Sequence, residues 1–281
     1  MKMIVILCFL SCLSFAKEQV NSSILQIEND DGGATTHRIY LSSGEILKTD
    51  NKKIIIALRN HFLKSHLLSF QFDDHHLLLS YEKLEYKKNF LKNISKLADE
   101  EYSPSHLSEG ESEELFKSFR KGARSYSQCF NRAHVWVYES KKALEVNSMK
   151  VFLFFTKKFI REYDYKWWFH VAPAIYLKKI TQNKLSILDP YFSSSPLPLN
   201  EWIHLFIPKN IKCPEISTYS QYEEGQEDES CFTFEVPMYY LQPLDLKALE
   251  ERSEVKNSWK KNEIKRSYRN GFGIWDSLKT L

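Results

Sequence analysis

The stretch WFHVAPAIYLKKITQNKLSILDP, residues 168–190, decides how this chain is read. Trp168 to Leu177 and Lys184 to Leu188 read as two strands around the polar link Lys178 to Asn183. In an antiparallel hairpin, paired positions have a constant sum of residue numbers. A turn centred between Lys179 and Ile180 therefore sets His170 directly opposite Asp189. Opposed Cβ atoms lie about 4.5–5.5 Å apart, close enough for a carboxylate to bond an imidazole and fix its tautomer.

Upstream, Val151 to Phe155 is a continuous apolar run short enough for a buried strand. Before it, Gln128 to about Glu139 has helical potential, with Ala133, Val135, Trp136 and Val137 in its apolar middle. The order is thus a helix followed by antiparallel strands. Cys129 opens the helix. A thiol attacks an amide usefully only as thiolate, and a helix N-terminus or a neighbouring imidazolium favours that form. The spare N–H groups there could also hold an oxyanion. Alone, each residue has a plain reading: a buried structural cysteine, a packed histidine among aromatics, a strand-ending aspartate before Pro190. Together, Cys129, His170 and Asp189 point to a thiol-based hydrolase or transferase.

Cysteine arithmetic supports the choice. Residues 1–16 read as an export signal: Lys2, the apolar run Ile4 to Leu13, then small residues up to a cleavage point after Ala16. The run is too short to anchor in a bilayer. Cleavage removes Cys8 and Cys12; acylation of Cys12 as a lipoprotein is the lesser alternative. In an oxidising compartment Cys213 and Cys231 are natural partners around a polar, acidic loop, leaving Cys129 alone. Three reduced, buried thiols would be the other arrangement.

Residues 17–97 read as a separate α+β unit. Strands are expected at Ser23 to Ile27 and His37 to Leu41, with a turn at Ser42-Ser43-Gly44. Asp50 or Asn51 caps a helix; a hairpin turns around Asp73-Asp74-His75-His76, and Tyr86 to Leu97 returns to helical spacing. Residues 98–114 are polar and acidic and read as an exposed linker. The catalytic unit is expected over 115–245, and 246–281 is read as a helix capped by Asp245 followed by a basic, aromatic tail. The overall class is α+β.

The formal charge of +3 is spread among interspersed acidic and basic residues, so nothing argues for nucleic acid or an anionic membrane. No zinc spacing, phosphate-binding glycine loop or dinucleotide fingerprint is present, so no metal or cofactor is expected. His134, five residues past Cys129, is too far round a helix to be its partner. The Asp73–His76 cluster reads as a solvated turn.

Cys129-Phe130-Asn131-Arg132-Ala133-His134, then Trp167-Trp168-Phe169-His170-Val171-Ala172-Pro173, then Leu188-Asp189-Pro190 resemble the bacterial protein-glutaminase (protein-glutamine deamidase) family over about Ser125 to Trp202. The resemblance implies a papain- or transglutaminase-like core, its active-site helix packed on an antiparallel sheet, with a Cys129-His170-Asp189 triad. It implies hydrolysis of glutamine side-chain amides in protein or peptide substrates, in a secreted or periplasmic monomer whose own N-terminal pro-region covers the cleft. Trp167 and Trp168 are candidate walls of a glutamine slot or, equally, core-packing residues, with Gln128 a candidate oxyanion donor and Asn131 and Arg132 braces of the helix. A transglutaminase or cysteine peptidase shares this chemistry, and a non-catalytic binding protein on the same fold is the alternative from another class.

Overall fold

The computed structural model describes residues 18–29, 36–63, 66–84, 102–125, 127–178, 184–252 and 261–273. The readings made for residues 1–16 and 86–97 lie outside the described residues. The architecture is mixed α+β with antiparallel sheets.

The first sheet is built from β1 (Glu18–Asn29), β2 (His37–Leu41), β3 (Ile46–Thr49), β4 (Leu67–Phe72) and β5 (Leu78–Lys83), in the order β3-β2-β1-β4-β5. Helix α1 (Lys52–Leu63) lies between β3 and β4 in sequence. Of the two capping candidates, Asn51 takes the role: its Oδ1 accepts from the N–H of Lys53 (3.0 Å) and Ile54 (3.3 Å). Ile39, Leu41, Leu58, Leu68 and Phe70 are fully buried between helix and sheet. The turn at Ser42-Ser43-Gly44 forms, with Gly44 at a φ of 102°, and leads into β3, a strand the sequence reading did not separate.

The second unit contains β6 (His106–Leu107), α2 (Glu109–Ser118), α3 (Cys129–Leu144), β7 (Met149–Phe155), α4 (Lys157–Glu162), β8 (Phe169–Leu177), β9 (Lys184–Ile187) and β10 (Leu197–Pro198). It continues through α5 (Leu199–Ile203), α6 (Tyr219–Glu224), β11 (Cys231–Pro237), α7 (Pro243–Arg252) and α8 (Lys261–Phe272). Its sheet runs β10-β9-β8-β7-β11, and β6 pairs in parallel with the far end of β8. Strand β7 is buried at every position, the signature of a central strand covered on both faces. Even Lys150 is enclosed there, its ammonium 2.7 Å from the Tyr240 carbonyl and 2.8 Å from Nδ1 of His134. Phe152 and Phe154 are among the fully buried side chains of β7, and truncation of either to alanine is expected to cost about 3–5 kcal/mol.

The structure corrects several expectations. Strands β8 and β9 pair with Ala174 opposite Ile187 and Leu177 opposite Lys184, two residues out of the expected register. Extended past the end of β9, that register carries Asp189 opposite Ala172 and makes it a diagonal neighbour of His170. The 98–114 segment, read as an exposed linker, is exposed at residues 108–111, 113 and 114 but carries regular structure. Residues 106–107 form β6, and α2 starts within the segment because Ser108 and Glu111 make a capping box around its first turn. Ser112, Leu115 and Phe116 are buried. Helix α7 begins at Pro243, suited to a first helical turn, and Asp245 lies inside that turn, its Oδ2 accepting from the N–H of Leu241 and Gln242. The basic tail contains α8, whose Ile264, Tyr268 and Phe272 recur every fourth residue and pack on α3 beside Val135 and Trp136. The Tyr268 hydroxyl donates to Glu139 Oε1 at 2.9 Å.

Cys213 and Cys231 form a disulfide, and Cys129 is the free cysteine among the described residues. No helix of the described residues is long and apolar enough to cross a membrane.

Candidate active site

Cys129 is the first residue of α3, half-buried, with Gln128 as an N-cap whose side chain makes no capping bond. Instead the Gln128 carboxamide accepts from Asn131 Nδ2 at 2.6 Å. The Asn131 N–H is taken by the Gln128 carbonyl at 3.1 Å, while Gln128 and Cys129 at this positive end of the helix line the cleft. Asn131 and Arg132 brace this end: the Arg132 Nη1 group bonds the Ser127 carbonyl, and its distance to Ser127 Oγ is 3.0 Å.

His170 sits on β8 opposite Leu153 of β7. Its Nε2 lies 2.7 Å from Asp189 Oδ2. Both side chains are buried, at 4% and 1% exposure. Asp189 follows β9, and its carbonyl accepts from the N–H groups of Phe192 and Ser193, so a tight turn holds it. The same Oδ2 accepts from the Trp202 indole N–H at 3.0 Å. Phe192, Trp202 and Phe206 surround the imidazole, with ring centroids 4.6–5.5 Å away.

Burial alone would pull the His170 imidazole down. The Asp189 carboxylate, with a hydrogen bond and charge from Cys129, more than offsets this and pushes it up to about 9. Burial alone would raise Asp189, but the charge and hydrogen bond of His170, the Trp202 N–H and Arg132 hold it below the usual carboxylate range. An anion, an imidazolium and a thiol at a helix N-terminus are the parts needed for nucleophilic attack on a carbonyl and proton delivery to a leaving group.

Cys129 and His170 open on a cleft of about 440 Å³. Its other wall belongs to the first unit, which places Ser43, Gly44 and Glu45 beside Cys129 and His170. Glu45 bridges Trp167 as an antiparallel pair; the Trp168 N–H donates to the Gly44 carbonyl at 3.2 Å, and the Ile46 N–H to that of Lys166 at 3.0 Å. Glycine is needed in this loop, since at φ 102° a Cβ would stand 3.1 Å from the Phe169 ring. One Glu45 carboxylate oxygen is buried without a hydrogen-bond partner. Burial pushes this carboxyl up to about 7, against the opposing pull of hydrogen bonds from Ser43, its own backbone and Gln128.

Of the expected slot residues, Trp167 and Gln128 line the cleft and Trp168 does not. Trp168 is 4% exposed, donates its indole N–H to the Leu41 carbonyl and stacks on Phe154 and Tyr222, so it is a packing residue here. His134 is buried in α3 against Lys150. In the Asp73–His76 turn, Asp73 Oδ1 accepts from the N–H of His75 and Leu77. Sequence reasoning missed Trp202, the aromatic enclosure from Phe192 and Phe206, and Glu45. Only the aromatic density between residues 191 and 206 offered a signal.

No curated relative matches the chain. Among solved structures, a crystal structure of pro-protein-glutaminase is 12% identical, with 79% of this chain and 83% of that one covered and a TM-score of 0.48. A mutant pro-protein-glutaminase is 14% identical over 81% and 84%, with a TM-score of 0.49. The NMR structure of protein-glutaminase from Chryseobacterium proteolyticum is 16% identical over 36% and 63%, with a TM-score of 0.28. Overlap this loose carries no argument about activity. The family described as glutaminase matches residues 115–206, the segment from α2 to the end of the aromatic enclosure. That segment, which holds Cys129, His170 and Asp189, is the part of the chain similar to the glutaminase family.

Proposed function

We propose that this chain is the precursor of an exported protein-glutamine deamidase with a papain- or transglutaminase-like core. The Cys129 thiolate attacks the carboxamide carbon of a protein-bound glutamine, and the oxyanion that forms is met by N–H groups at the start of α3. His170 gives its proton to the departing ammonia as the C–N bond breaks, leaving a thioester. It then takes a proton from water, which attacks the thioester, releasing glutamate and returning the thiolate and imidazolium. Asp189 holds the imidazole in one orientation throughout. The observation that carries this reading is the 2.7 Å pair of His170 Nε2 and Asp189 Oδ2, beside a thiol that opens a helix.

Residues 1–16 serve as the export signal, and residues 17–97 as an inhibitory pro-region ahead of a catalytic unit over 115–245. The lodging of Ser43, Gly44 and Glu45 in the cleft supports the inhibitory role. Trp167 bounds the slot for the glutamine methylenes.

The test is cleavage of the chain between residues 97 and 105, separation of the pro-region, and incubation with a glutamine-rich protein. Ammonia release with a gain of about one dalton per converted side chain is expected, and Cys129→Ala abolishes it. Main-chain cleavage would assign a peptidase, and capture of the acyl group by an amine in place of water a transglutaminase. Unchanged activity in Cys129→Ala would remove the thiol from the chemistry.

A further inference from the structure

Arg132 is a buried charge in the cleft wall that the reaction above does not use. It lies one turn along α3 from Cys129, on the same helix face, and lines the same cleft. The residue is 3% exposed, and its Cζ stands 3.8 Å from the ring centroid of Tyr191, which lids it. Its hydrogen bonds go to neutral groups, the carbonyl and hydroxyl of Ser127, and its Nε has no hydrogen-bond partner. Among the described residues no carboxylate lies within ion-pair distance of it. A buried cation so placed is costly unless an anion balances it.

We infer that Arg132 is a positioning residue whose guanidinium neutralises the closed site, so that Cys129 can stand as a thiolate beside the His170–Asp189 pair. This rests on the reading of Cys129 as nucleophile. The ionisable groups that face the guanidinium are Cys129, Asp189 and the neutral phenol of Tyr191, with His170 on Asp189. With a thiolate, imidazolium, carboxylate and guanidinium the site sums to zero. After ammonia leaves, the thioester and imidazole are neutral and Arg132 still balances Asp189, so the sum stays zero. Without Arg132 both states carry a buried net negative charge, and Cys129 relieves it by holding its proton. Glu45 stays out of this balance while protonated, since burial pushes it up to about 7. Burial lowers the Arg132 guanidinium from its ordinary value while Cys129, Asp189 and Tyr191 act the other way, which fits a cation held by anions rather than by water.

The test follows the far-ultraviolet absorbance of the thiolate against pH in the full chain, taken as the difference from Cys129→Ser. In Arg132→Gln the signal should require about a tenfold lower proton concentration to appear. Arg132→Lys, which keeps the charge, should largely restore it. A merely structural role would not move this titration in a cooperatively melting variant. Should Arg132→Gln fail to fold, Tyr191→Leu at a position 39% exposed opens the guanidinium to water and should move the titration the same way. Coincident titrations of the wild type and a folded variant would overturn the inference alone. Absence of a Cys129 thiolate signal in the wild type at neutral pH would overturn the nucleophile reading along with it.

Discussion

Trp202 and His170 share one oxygen: Asp189 Oδ2 accepts the indole N–H at 3.0 Å and the imidazole Nε2 at 2.7 Å. The carboxylate is thereby held from two sides in a pocket closed to water, and its lone pairs cannot turn away from the imidazole. Trp202→Phe keeps most of the packing and removes one donor. We expect kcat on a glutamine peptide to fall about tenfold with little change in KM, while Asp189→Asn loses on the order of a thousandfold because it presents a donor where an acceptor is required. Steady-state kinetics of the released enzyme decide this; equal activity of wild type and Trp202→Phe would show that the indole only packs.

The His170 charge carries a pH dependence of stability. Its folded value, about 9, lies above the ordinary 6.5. A base raised on folding contributes stability that is complete below about pH 6.5 and is lost as pH rises through about 9. Thermal melting from pH 7 to pH 10 should therefore fall more steeply for the wild type than for His170→Gln. Parallel curves would mean that His170 is neutral in the folded chain.

Glu45 gives a second pH test, of the same sign, on the N-terminal unit. Its carboxyl is pushed up to about 7 in the cleft, beside Ser43 and Gln128 and within the field of Glu18, and returns to about 4.5 when released. Docking that buries a protonated acid is strongest below about pH 4.5 and weakens as pH climbs through 7. Once the chain is cut, gel filtration should show the N-terminal unit retained at pH 5 and released at least about tenfold more readily at pH 8. Glu45→Gln should be retained at both. Release independent of pH in the wild type would remove Glu45 from the control of docking.

The Cys213–Cys231 disulfide closes a loop of sequence separation 18 that contains α6. Its removal should cost about 3 kcal/mol through the freed chain entropy of the unfolded state. Cys213→Ala with Cys231→Ala should lower the melting temperature while leaving the kinetics of the released enzyme near wild type. Among the described residues, those lining the cleft and enclosing His170 run no further than Phe206.

What was legible in advance depended on how local the cause was. The His170–Asp189 pairing survived a register error because the error was two residues: strand side chains alternate with period two, so Asp189 stayed on the imidazole's face. A slip of one would have sent it to the other side. Helix α2 was hidden by its acidic composition, although Ser108 and Glu111 spelled its capping box. In α8 the spacing of Ile264, Tyr268 and Phe272 was present but diluted by lysines and arginines on the outer face. Trp202, Arg132 under Tyr191, and Glu45 in the cleft owe their roles to contacts distant in sequence, which no periodicity reports. Trp168 shows the reverse case: an aromatic beside a catalytic-looking histidine packs under the Leu41–Gly44 loop.

In the proposed mechanism Cys129 becomes covalently bonded to a glutamine side chain. The direct measurement is mass spectrometry of the released enzyme quenched in acid during turnover of a glutamine-containing peptide. An adduct on the Cys129 fragment equal to the peptide less ammonia is expected, absent in Cys129→Ala. Ammonia release without that adduct, and undiminished in Cys129→Ala, would contradict that mechanism.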